Sequence, residues 1–204
     1  MAPEGKHFEQ KTENGKSYYM LEDGAYVLGL QNTLVGYTDA QKCISEANNV
    51  TINVLSSADF TIPADKKFTL LNESSNKSLA TITNEGNITI STGAMVVKGN
   101  WNNFKIVNKG SLKIGGSSTF EPNTQMYVDN VTIENEGTLT LTGYPTLEWE
   151  IHYGKDFKID NKEGGSVSVS SGFFVADAKS QIENYLAEGY SLFAFGDGYR
   201  VAQQ

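Results

Sequence analysis

The sequence predicts an all-β chain wound as a right-handed parallel β-helix, a β-solenoid of stacked coils. One phrase recurs four times: Ile82-Thr-Asn84-Glu-Gly86-Asn-Ile88-Thr-Ile90, Ile106-Val-Asn108-Lys-Gly110-Ser-Leu112-Lys-Ile114, Ile133-Glu-Asn135-Glu-Gly137-Thr-Leu139-Thr-Leu141, and Ile159-Asp-Asn161 through Val167-Ser-Val169. Its asparagines are spaced by 24, 27 and 26 residues, a period that belongs to stacked repeats rather than to one closed core. Apolar and polar residues alternate within each copy, as in a strand buried on one face. With 20 Gly and 18 Asn against 4 Pro, the composition also favours frequent changes of direction.

Residues 1–49 read as a β-meander and a capping helix. Asn14-Gly15 and Asp23-Gly24 are dipeptides of two-residue hairpin turns, flanked by Tyr18 to Leu21 and by Tyr26, Val27 and Leu28, so residues 7–35 are expected to meander. Thr38 and Gln41 fit a capping box. Ala40, Cys43, Ile44 and Ala47 then fall on one helical face, and a short helix is predicted over about Asp39 to Ala47. Such a helix would cover the apolar end that a solenoid otherwise exposes.

Residues 50–176 are predicted as the coils, opening with strands at Thr51 to Leu55, Phe60 to Ile62 and Phe68 to Leu71. Each later coil has a strand ending in Asn, a turn through Gly, a second strand, another Gly (Gly93, Gly115, Gly143, Gly172) and a third apolar segment. Those third segments are Met95 to Val97, Met126 to Val128, Leu147 to Ile151 and Phe173 to Val175. In the fourth coil, Asn161-Lys-Glu-Gly-Gly-Ser166 reads as a bulge of one extra residue. Residues 177–204 form the second cap: a helix N-capped by Asp177 and carrying Ala178, Ile182, Tyr185 and Leu186, Gly189 beyond it, then a hairpin of Tyr190 to Phe195 and Tyr199 to Ala202. The three parts make one continuous domain.

Stacking turns equivalent positions into columns. Asn84, Asn108, Asn135 and Asn161 would form an asparagine ladder, since an amide both donates and accepts and Asn tolerates the left-handed turn conformation. A polar ligand groove is the competing reading, and the spacing favours the ladder. The next position reads Glu85, Lys109, Glu136, Lys162, so stacked neighbours carry opposite charges.

A net charge of -8, with Arg200 as the single arginine and no dense basic stretch, argues against nucleic acid or an anionic membrane as partner. No apolar run is long enough to span a membrane, and Met1 to Lys6 lacks the apolar core of a leader peptide. A lone cysteine, Cys43, excludes an intrachain disulfide and fits either a reduced compartment or an exported protein that avoids disulfides. Asn-x-Ser/Thr triplets at Asn49, Asn72, Asn76, Asn87 and Asn130 follow from composition and are not read as glycosylation.

The best local binding candidate is Tyr144-Pro-Thr-Leu-Glu-Trp149-Glu150-Ile-His152-Tyr153 together with Trp101: exposed rings stack on sugars and carboxylates accept hydroxyl hydrogen bonds. The alternation Leu147, Trp149, Ile151 favours core filling over display. Asp129 with Glu134, or Asp156 with Asp160, could be drawn as the opposed carboxylates of a glycosidase, yet they read better as solvated turn and outward residues. His152 with Glu150 and Asp156 is a poor metal site, His7 has no partner in view, and no metal or cofactor is expected. Phosphate loops and nucleophile constellations are absent from the sequence.

Two stretches carry a family resemblance. Tyr37-Thr-Asp-Ala-Gln-Lys-Cys43-Ile, Ile52-Asn-Val-Leu-Ser-Ser, Phe60-Thr-Ile-Pro63 and Lys67-Phe-Thr-Leu-Leu71 resemble the opening of β-helix modules in large secreted or cell-surface, adhesin-like proteins of gut bacteria. Ser171-Gly-Phe-Phe174, Tyr185-Leu-Ala-Glu-Gly-Tyr190 and Gly196-Asp-Gly-Tyr-Arg-Val201 are similar to the way such modules end. The resemblance covers about residues 37–201 and leaves out residues 1–36. It implies an extracellular, non-enzymatic structural or adhesion role, with a host or dietary glycan or surface protein as partner. The alternative is a polysaccharide-active lyase or hydrolase on the same scaffold.

Overall fold

The computed structural model describes residues 5–31, 33, 35–72, 78–91, 98–115, 125–143, 151–154 and 156–204. Asn14 and Gly15 both take positive φ, +52° and +74°, and fold β1 (Lys6–Glu13) against β2 (Lys16–Asp23) as an antiparallel hairpin. Asp23-Gly24 does not make a second hairpin turn. Gly24 instead donates to the Gly5 carbonyl at 2.9 Å, closing the open end of the first. The expected meander is therefore one separate two-stranded hairpin, after which β3 (Leu28–Leu30) and β4 (Gly36–Tyr37) join a solenoid sheet.

α1 (Ala40–Glu46) starts one residue later than the Thr38 capping box implies: Asp39 is the N-cap, its carboxylate accepting from the Lys42 amide at 3.1 Å. Gln41 is thereby released for another use. Its amide donates to the Thr61 carbonyl at 3.0 Å and accepts from the Thr61 N–H at 3.0 Å, so it occupies the backbone edge of the first strand in its sheet. Ala40, Cys43 and Ile44 face inward, and burial pushes the Cys43 thiol up to about 11.

The coils follow as β5 (Val50–Val54), β6 (Phe60–Ile62), β7 (Lys67–Asn72), β8 (Ala80–Asn84), β9 (Asn87–Ser91), β10 (Lys98–Asn108), β11 (Ser111–Ile114), β12 (Gln125–Asn135), β13 (Thr138–Leu141), β14 (Ile151–Tyr153), β15 (Lys158–Asn161), β16 (Ser166–Val169) and β17 (Gly172–Val175). They stack as two sheets of parallel strands: β5-β7-β9-β11-β13-β16, and β6-β8-β10-β12 continued by β14 and β15. β10 and β12 each turn a corner, at Asn103 (φ +59°) and Asn130 (φ +47°), so each long strand supplies two sides of its coil. The expected third segments at Met95 to Val97 and Leu147 to Glu150 lie outside the described residues. Met126 to Val128 and Phe173 to Val175 are in place.

The coils are not equal. Val50 pairs with Phe68, Phe68 with Ile88, Ile88 with Leu112, Leu112 with Leu139 and Leu139 with Val167, so successive periods are 18, 20, 24, 27 and 28 residues. The added length falls mostly outside the described residues, while the core changes in kind along the stack. Isoleucine, leucine, valine and two phenylalanines fill the first rungs, and Trp101, Phe104, Tyr153, Phe157 and Phe174 the later ones. Tyr153 stacks on Phe174 at 4.5 Å and 6°, and its buried hydroxyl has no partner among the described residues.

The asparagine ladder is present. Asn84 donates to Asn108 at 2.8 Å, Asn108 to Asn135 at 2.6 Å and Asn135 to Asn161 at 2.7 Å, while their amides also reach the Ser111, Thr138 and Ser166 carbonyls of the next rung. These asparagines are not in the left-handed region, which is taken instead by Asn14, by Asn49 and, at the corners of the coils, by Asn103 and Asn130. The ladder stops where the rung before Asn84 offers Ile62, and the side-chain Oδ1 of Asn84 is left buried without a donor among the described residues. Beside it Lys109 pairs with Glu85 at 3.7 Å across the rungs, whereas Lys162, just past the end of β15, pairs with Asp160 of that strand rather than with Glu136.

Gly110 and Gly137 hold the turns together, because a Cβ on either would lie 2.1 Å from the carbonyl oxygen of the glycine one rung before. The fourth turn is longer by two residues, not one. Asn135 pairs with Asn161 and Thr138 with Ser166, and Gly164 (φ +85°) accommodates the excess.

After β17, a 3-10 turn (Ala176–Ala178), α2 (Lys179–Ile182) and a second 3-10 turn (Glu183–Tyr185) replace the single expected helix. Asp177 does not cap it; Val175 stands at that position with no side-chain bond. Ala178 and Ile182 are buried against the last coil. The hairpin β18 (Tyr190–Phe195) and β19 (Gly198–Gln203) then extends the sheet antiparallel to β17.

Candidate functional site

Alternation along β12, β14 and β17 sends one residue in and the next out. Val128, Tyr153 and Phe174 pair in register and face the core, while Tyr127, His152 and Phe173 pair in register and face outward. The outward rings make a column: Tyr127 lies 4.9 Å from His152 and nearly parallel to it, and His152 lies 5.2 Å from Phe173. Phe195 meets Phe173 edge-on at 6.4 Å, and the Arg200 guanidinium sits 3.8 Å above the Phe195 ring. Rings stacked along the axis spend their faces on one another. Their edges and the polar groups beside them are what a ligand would meet.

Apart from Arg200, those polar groups are acidic. Burial lifts the Asp129 carboxyl above its usual range, the neighbouring Asp156 carboxylate adds to the rise, and His152 partly offsets it. Gly154 makes room for that carboxylate, since a Cβ there would fall 1.7 Å from Asp129 Oδ1. The carboxylate pairs drawn from sequence are not the ones brought together. Glu134 is held by Lys105 at 2.9 Å and Asp160 by Lys162, and the carboxylate that acts on Asp129 is that of Asp156.

Of the residues expected to bind, Trp101 is buried, packed 5.0 Å from Phe104 with its indole N–H directed to the Ser91 carbonyl at 3.4 Å. Tyr153 is buried as well, and only His152 looks outward. Tyr144, Trp149 and Glu150 lie outside the described residues. Sequence reading missed Tyr127 and Phe173 as outward residues. Tyr127 is the middle residue of its apolar segment and Phe173 the first of its own, and their register with His152 across coils identifies them. His7, without a partner in the sequence, has its Nδ1 2.9 Å from the Gly24 carbonyl and its ring against Tyr26.

Among the described residues no group of three His, Cys, Asp or Glu side chains is placed to hold a metal ion, and no helix is long and apolar enough to cross a membrane. Comparison with protein-family models, with curated proteins and with solved structures gave no match.

Proposed function

We propose that the chain is a non-enzymatic, extracellular structural and adhesion module of a bacterial surface or secreted protein. In this reading it is a capped, right-handed parallel β-helix that offers its outward face to a neutral host or dietary glycan. The observation that carries it is the column Tyr127, His152, Phe173 with Asp129 and Asp156 beside it. Ring edges supply apolar contact and carboxylates accept sugar hydroxyls, while a net charge of -8 opposes binding to polyanionic glycans. Right-handed winding is supported by the handedness of parallel strand crossovers in general. α1 at one end and the β18–β19 hairpin at the other serve as the caps.

The test is binding to a glycan array, followed by affinity electrophoresis of the wild-type chain and of Asp129→Asn and Tyr127→Ala. Retention on a neutral glycan that both substitutions weaken is the expected result; no retention on any glycan would overturn the glycan reading. A second reading, a polysaccharide-active hydrolase or lyase, draws on the carboxyl of Asp129, raised by burial and by the Asp156 carboxylate. Assays for released reducing ends and for unsaturated uronates separate the two, because turnover that Asp129→Asn abolishes would make the chain an enzyme.

A further inference from the structure

The β1–β2 hairpin stands apart from the solenoid sheets and, among the described residues, pairs with no third strand. A two-stranded hairpin alone is marginal in water. This one also leaves Phe8, Tyr18, Tyr19, Met20 and Leu21 exposed, Tyr19 at 71 %. Such an edge is a template for a further strand.

The two edges of the hairpin differ. With Asn14-Gly15 as a two-residue turn, Glu13 and Lys16 are the first hydrogen-bonded pair, and alternate residues outward from there point their N–H and C=O away from the partner strand. On β1, Phe8 is one of these, and its edge is occupied. The Tyr26 hydroxyl accepts from the Phe8 N–H at 3.1 Å and donates to the Phe8 carbonyl at 2.8 Å. On β2 the outward residues are Ser17, Tyr19, Leu21 and Asp23, and no bond from another element to their backbone is recorded among the described residues.

We propose that the β2 edge pairs with the β2 edge of a second copy of this chain, making a four-stranded antiparallel sheet about a two-fold axis. Outward residues must face outward residues, and two-fold pairing centred on Tyr19 satisfies this: Tyr19 opposes the second copy's Tyr19, Ser17 opposes Leu21, Tyr18 opposes Met20, and Lys16 opposes Glu22 at both ends. The strand Lys16-Ser-Tyr-Tyr-Met-Leu-Glu22 is thus complementary in charge to its own reverse and apolar in the middle. That self-complementarity selects a second copy over a foreign strand.

The test is sedimentation velocity of the full chain over a concentration series, with Lys16→Glu and Glu22→Lys each alone and mixed. The wild-type chain is expected to dimerise. Each variant alone places like charges opposite at both ends and should dimerise about tenfold or more weakly, while the mixture restores opposite charges at both ends and should re-form a 1:1 dimer. Recovery on mixing also rules out misfolding as the cause of the loss. A wild-type chain that stays monomeric, a variant that dimerises as the wild type does, or a mixture that fails to associate overturns the proposal. So does a monomer that pairs only with an unrelated alternating peptide.

Discussion

Asn108 carries more of the interior than any amide at the ladder's start, because it accepts from Asn84 and donates both to Asn135 and to the Thr138 carbonyl. Asn108→Ala removes all three bonds and strands buried partners. The expected loss in chemical denaturation is about 3 kcal/mol or more, with Asn84→Ala costing roughly half, since Asn84 sits where the ladder has already lost its acceptor's partner to Ile62. Equal losses at the two sites would contradict a hydrogen-bonded ladder. Asp129 gives a pH signature. Its folded-state pKa is raised, so its contribution to stability is full below the usual 3.8 and is lost as pH rises through the raised value. Asp129→Asn is expected to match the wild type in acid and to exceed it in urea midpoint at neutral pH; a pH-independent difference would refute the assignment. The ladder was legible from sequence because Asn recurs at one register. The left-handed asparagines were not, because nothing in the sequence around Asn103 and Asn130 marks the corner that β10 and β12 turn there.

α1 shows how one residue's displacement alters an element's role. With Asp39 as the cap, Gln41 is freed from the helix start and satisfies both backbone groups of Thr61. Gln41→Ala removes two hydrogen bonds and uncovers the edge of β6. About 1–2 kcal/mol should be lost in denaturant, with faster growth of light scattering on heating, as expected of an open edge. Unchanged scattering would mean that Gln41 does not protect β6. The helix itself was readable from Ala40, Cys43, Ile44 and Ala47, and the final hairpin from its glycines. Tyr190 to Phe195 and Gly198 to Gln203 then pair as that reading requires. The meander was misread for a physical reason. Asp23-Gly24 has the composition of a turn, but the Gly24 amide is taken by Gly5 and the chain departs to another sheet. The candidate site was half legible: His152 was found, while Trp101 and Tyr153 share the inward register of Val128 and are buried with it.

Across the whole molecule, stability should be graded rather than uniform, because each rung contacts only its neighbours. Backbone amides of β8 to β13 lie between stacked rungs whose inward side chains are buried, and the hairpin β1–β2 contributes no residue to that core. In hydrogen exchange the middle rungs are expected to be the slowest segment and the hairpin the fastest by orders of magnitude. Exchange at one common rate would argue for a single cooperative unit instead. The two ends of the stack have a further consequence for assembly. A solenoid whose end strands are bare can dock top on bottom, and repetition of that contact builds a fibre. Here β3 lies antiparallel against β5, Gln41 holds the backbone of Thr61 in β6, and β19 lies antiparallel against β17. A copy set end on end would meet antiparallel strands and a glutamine side chain in place of a parallel rung, which limits head-to-tail growth and leaves side-on contact as the open route to association.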